Sequence, residues 1–137
     1  MTEKRIYQPL PEIEDRQQAR EVLASGDLED IRLLPLAFCN ECEEQDKVFA
    51  QELCLEIADH EDMYARANAI MGLAYIARRH QWLDKRLVKP YILRELKENL
   101  ERKSYILNAI EDINLYLGWR LARKTIPSPP LYHRDPE

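Results

Sequence analysis

The sequence predicts an all-α domain of about three stacked helical hairpins, and three observations predict it. Apolar residues recur at three- and four-residue spacing along most of the chain. Glycine is nearly absent, with only Gly26, Gly72 and Gly118 among 137 residues, and an apolar pattern recurs about 40 positions apart. A chain of this length suits one domain with one core, and 45% apolar with 33% charged residues is ordinary for a globular fold. Three glycines leave almost no material for Gly-rich phosphate loops, dinucleotide fingerprints or many-turned β architectures.

Residues 1–11 are polar with two prolines and read as a lead-in to a single domain over 12–124. A first helix runs from Glu12 to Ala24, where Ser25-Gly26-Asp27 supplies a stop and a new N-cap. The second, Leu28 to Phe38, spaces Leu28, Ile31, Leu34 or Pro35, and Phe38 helically, with Pro35 bending or shortening it. After the polar break Asn40 to Asp46, Val48, Phe49, Leu53 and Ile57 mark a third helix ending near His60. The fourth, Tyr64 to Arg79, gathers Ala69, Ile70, Leu73, Ile76 and Ala77 on one side. Asp84 is a candidate N-cap for a fifth helix, Lys85 to Asn99, in which Pro90 either makes a kink or marks the true first turn. The sixth, Ser104 to Arg123, aligns Ile106, Ala109, Ile110, Ile113, Tyr116 and Leu117, and 125–137 is a Pro-rich tail expected to lie across the surface.

Asn68-Ala69-Ile70 recurs as Asn108-Ala109-Ile110, and the same shift of 40 pairs Val48 with Val88, Leu53 with Leu93 and Leu73 with Ile113. Extended backwards it places Leu73 over Leu33, Ile76 over Leu36 and Ala77 over Ala37. Hairpins repeating at about 40 residues are the signature of HEAT-like arrays, in which stacking supplies a core that no hairpin can make alone. The fold expected is therefore a short right-handed solenoid of HEAT-like hairpins.

The stretch from Leu55 to His80 resembles a HEAT repeat junction: a helix, an acidic turn, then an arginine and small residues on the packing face of the next helix. That resemblance implies that Asp59 or Asp62 braces the turn with Arg66; the second copy has Ile106 at the matching position, so a ladder of such pairs is broken there. Arg66 to Arg78, of the form R-x-N-A-I-x-G-L-x-x-I-A-R, and Ala109 to Leu117 also resemble small HEAT-like immunity proteins of bacterial polymorphic-toxin and contact-dependent growth-inhibition systems. The resemblance implies a bacterial inhibitor that neutralises a cognate toxin domain, often a nuclease, by occluding its active site.

Opposite its apolar stripe the fourth helix carries Tyr64, Asn68, Met71, Tyr75 and Arg79, and the sixth carries Ser104, Asn108, Glu111, Leu115 and Trp119, with Asp112 adjoining. Tyr, Trp, Met and Arg are enriched where proteins bind proteins, and the second helix of each hairpin commonly lines the groove of such arrays, so these residues are the expected partner contacts. The bland reading is that the larger ones pack on neighbouring hairpins or the tail. Glu41, Glu43, Glu44 and Asp46 are either solvated helix-end acids or carboxylates that steer a basic toxin, which can mimic substrate phosphates.

A formal charge of −5 disfavours nucleic-acid binding and suits a basic protein partner. Arg78-Arg79-His80, Lys85-Arg86 and Arg120 to Lys124 keep open a nucleic-acid-binding enzyme of the alkylpurine glycosylase kind, and a generic interaction scaffold is the broader alternative. His60, His80 and His133 lack a patterned nucleophile nearby, so no catalysis is expected. Cys39, Cys42 and Cys54, with His60, have the ligand count of a zinc site, but Cys54 falls mid-helix; buried apolar thiols, no metal and no cofactor are expected. An odd cysteine number, no apolar run near the roughly 20 residues that span a bilayer, and an opening without a signal-like segment predict a cytoplasmic monomer off the membrane.

Overall fold

The computed structural model describes residues 12–123. The lead-in, the Pro-rich tail and His133 lie outside the described residues. Within them there are six α-helices and no strand: α1 (Arg16–Ser25), α2 (Leu28–Cys39), α3 (Lys47–Ile57), α4 (Met63–His80), α5 (Lys85–Glu98) and α6 (Lys103–Leu117), with one 3-10 turn at Glu44–Asp46. The all-helical expectation holds, and the stretches 28–38 and 91–96 are helical throughout.

Local chemistry sets the helix starts and stops. Asp15, Asp27 and Asp62 occupy N-caps, their carboxylates accepting from Gln18, Asp30 and Ala65 N–H groups that have no partner inside the helix. Asp84 also stands at an N-cap, but its side chain makes no capping bond; its own N–H donates to Oε1 of the buried Gln51, 2.7 Å away. Gly26, at φ +76°, closes α1 in the left-handed conformation that a side chain disfavours. Both prolines are accommodated within α2 and α5.

The sixth helix stops six residues short of the expected end at Arg123. Gly118, at φ +69°, donates its N–H to the Asn114 carbonyl and ends the helix at Leu117. Leu121 then folds back: its N–H donates to Asn114 Oδ1 at 3.0 Å, Asn114 Nδ2 donates to the Leu121 carbonyl at 3.1 Å, and the leucine side chain is buried.

Every helix packs on its neighbours in the chain, and α4 lies between α2 and α6 with its most extensive contacts to those two. The α4 sequence explains why it can be central. Five alanines and Gly72 are among its nine buried residues, and these small side chains let neighbouring helices approach from several sides, while Ile70, Leu73 and Ile76 fill the space between. Ala69, Ile70, Leu73, Ile76, Ala109, Ile110 and Ile113 are all buried, as the periodicity requires.

The backward extension of the repeat is off by one position. Ile31, Leu34, Pro35 and Phe38 are the buried face of α2, whereas Leu33, Leu36 and Ala37 are only half-buried. A shift of 39 superposes Ile31 on Ile70 and Leu34 on Leu73, one residue less than the shift that relates α4 to α6.

Candidate partner-binding face

Most of α4 is covered by its neighbours, and the residues left partly accessible are few. Between Ala65 and Ala77 every residue is buried except Arg66, Asn68, Met71 and Tyr75, which are half-buried, and Tyr64 and Arg79 continue the line at either end. Steps of three and four residues keep Tyr64, Asn68, Met71, Tyr75 and Arg79 on one face. Beside it α6 exposes Asn108, Glu111, Asp112 and Leu115, the last at 72%. The α6 residues are thus exposed, whereas of the α4 stripe only Arg79 is, and Met71 and Tyr75 are half-buried with part of their surface against the core.

Several of these residues have framework duties as well. Asn68 Nδ2 donates to the Arg32 carbonyl at 2.7 Å and ties α4 to α2, and Arg79 Nε donates to the Cys42 carbonyl at 2.8 Å. Tyr64 is stacked between two guanidinium groups, Arg32 at 4.7 Å and Arg102 at 4.3 Å from the ring centre, and Arg102 is also 4.1 Å from Tyr105. The resulting run Arg32–Tyr64–Arg102–Tyr105 spans α2, α4 and the start of α6. Helix-wheel reasoning missed Arg102 because it lies in the turn before α6, and missed Arg32 because its partner is thirty residues away.

Trp119 does not share this register. It falls beyond Gly118, half-buried, with Lys85 Nζ 5.2 Å from its ring centre, and so belongs to the α5 side of the molecule.

The turn-bracing arginine is also redistributed. Asp62 accepts two hydrogen bonds from Arg32, both 2.9 Å, instead of pairing with Arg66. These bonds hold the Asp62 carboxyl below the ordinary carboxylate range and raise Arg32 in turn. Arg66 braces the same turn through its backbone, donating to the His60 and Glu61 carbonyls, and its Nε reaches the buried Glu95 at 3.1 Å. Glu95 also accepts from Arg94 and Asn99, so this buried carboxylate is matched by three donors.

The steering carboxylates divide into two kinds. Asp46 is held by Arg16 at 2.6 Å and Glu44 by Lys47 at 2.6 Å, while Glu41 and Glu43 are exposed without an ion pair among the described residues. Glu12, Glu14, Glu41, Glu43 and Asp46 together line a cleft of 480 Å³ beside the C-terminal end of α2.

Cys42 and His80 come together, Sγ to Nε2 3.5 Å, a pairing their spacing of 38 residues conceals. The arrangement does not activate the thiol. Burial, then the neighbouring Cys39, push the Cys42 thiol up to about 12, so it is a poor nucleophile at neutral pH. Among the described residues no three His, Cys, Asp or Glu side chains are placed to hold a metal ion, and no helix is long and apolar enough to cross a membrane. No known family, curated protein or solved structure matches the chain.

Proposed function

We propose that this protein is an immunity protein that binds a cognate bacterial toxin domain, a nuclease in the first instance, and neutralises it by covering its active site. The reading takes the six helices as three HEAT-like hairpins in a short right-handed solenoid, acting as a cytoplasmic monomer by binding and not by turnover. One observation carries it: the largely buried α4 leaves Tyr64, Asn68, Met71, Tyr75 and Arg79 partly accessible along one line, and the helix it packs against, α6, exposes Asn108, Glu111, Asp112 and Leu115. Large amphipathic side chains held by a rigid helix lose little freedom on binding, which suits a tight protein contact. The exposed Glu41 and Glu43 add a negative field suited to a basic partner.

The test is co-expression with the toxic C-terminal domain of a polymorphic toxin encoded beside this gene, followed by purification of the pair. Survival of the expressing cells and a stable one-to-one complex are expected. Equal killing with and without this protein would rule out the immunity reading. Complex formation without protection would favour the broader scaffold alternative.

A further inference from the structure

Spacing in the sequence associates Cys39 with Cys42, but the fold associates Cys39 with Cys54. Cys39 is the last residue of α2 and Cys54 lies within α3; neither has any exposed surface, and their Sγ atoms are 3.4 Å apart. The Cys54 sulfur is also confined by α4, where a Cβ on Gly72 would stand only 2.8 Å from it. Gly72 therefore leaves the space that this thiol fills, facing Cys39. Cys42, with its sulfur near His80, is not a member of the pair.

We propose that Cys39 and Cys54 form an oxidative modification site, a buried dithiol that a peroxide converts to an intramolecular disulfide joining α2 to α3. One thiolate attacks the peroxide, breaking the O–O bond and giving a sulfenic acid and water. The second thiol then displaces the sulfenic oxygen as a second water and forms the S–S bond. Two thiols and one hydrogen peroxide thus yield one disulfide and two waters, the sulfurs giving up two electrons. The sulfurs must close to about 2.05 Å, an approach of little more than 1 Å from their present contact. The hydrogen bond between the thiols, then burial, push the Cys39 thiol well up, and neither sulfur has exposed surface for a peroxide to reach while the helices stay closed. The rate is accordingly set by transient opening of α2 from α3. This site stands independently of the toxin-binding reading.

The experiment exposes the reduced full chain to hydrogen peroxide, with and without urea below the unfolding transition, then blocks remaining thiols by alkylation and maps peptides by mass. Expected are a loss of two hydrogens, a single alkylated cysteine at Cys42, a Cys39–Cys54 cross-linked peptide, reversal by dithiothreitol, and faster conversion in urea. The Cys42→Ser variant should give the same cross-link at a similar rate. Three alkylated thiols after prolonged exposure, a cross-link through Cys42, or conversion of single cysteines to sulfinic acid would each overturn the proposal.

Discussion

A methyl group added at Gly72 would meet Cys54 Sγ at 2.8 Å, Pro35 Cβ at 3.1 Å and the Pro35 carbonyl oxygen at 3.2 Å. The thiol can turn, but the proline backbone inside α2 cannot yield without moving that helix. Gly72→Ala should therefore destabilise the fold by about 1–3 kcal/mol, read as a lower urea midpoint, by overpacking; an unchanged midpoint would mean that α2 and α4 are not in such close contact. Asp62 supplies a second test. Its carboxyl, held low by Arg32, contributes stability that is full above its unfolded value near pH 4 and is lost as the pH falls through the folded value. Asp62→Asn keeps an N-cap acceptor for Ala65 but removes the charge. The variant should be less stable at pH 7, and its deficit should shrink on titration below about pH 4; a deficit independent of pH would discount the pair. Neither contact was legible in the sequence, because the shift of 40 compares equivalent positions and says nothing of which side chains cross between helices. The buried sets of α4 and α6 were legible from spacing within each helix, whereas Leu28, Val48 and Tyr116, which share that spacing at helix ends, are exposed.

At the scale of elements, all six helices are legible because apolar periodicity and caps are local signals, but two bounds differ most. The first helix starts at Arg16 and not Glu12 because Asp15 is its N-cap, and apolar Leu121 prolongs the α6 pattern after the helix has stopped. Gly118 was the available signal, a glycine followed by a residue that folds back onto the preceding turn. At φ +69° with nothing within 4 Å of an added Cβ, its role is conformational and not steric. Gly118→Ala should cost about 1–2 kcal/mol, the penalty for placing an L-residue in the left-handed region. Hydrogen exchange should localise the loss to the last turn of α6 and the Asn114–Leu121 contact. If the variant were as stable as the parent, the left-handed stop would not be the native one. The one-position error in α2 is of a different kind: the apolar spacing within the helix is sound, but the period that relates α4 to α6 does not carry back unchanged to α2.

At the scale of the whole molecule, the candidate face was only partly legible, because a helical wheel separates covered from uncovered sides but cannot show which uncovered residues already hold the framework together. Asn68 and Arg79 anchor neighbouring backbone carbonyls, so their loss would disturb packing and binding together. Tyr75 and Met71 give a cleaner measurement. Both are half-buried on the α4 stripe with part of their surface against the core, and Tyr75 has a cation, Arg78, 5.0 Å from its ring centre. An aromatic anchor desolvated by a partner dominates dissociation, whereas peripheral charge chiefly alters encounter. Tyr75→Ala should thus raise the dissociation rate from the toxin domain at least about tenfold, equivalent to about 1.4 kcal/mol. Glu41→Gln with Glu43→Gln should slow association at low ionic strength, an effect that fades as salt screens the field. Trp119→Ala, which lies off the stripe, should leave both rates close to those of the parent. Surface plasmon resonance at two salt concentrations separates the outcomes: unchanged dissociation in Tyr75→Ala, beside a large change in Trp119→Ala, would move the contact from the α4–α6 stripe to the α5 side.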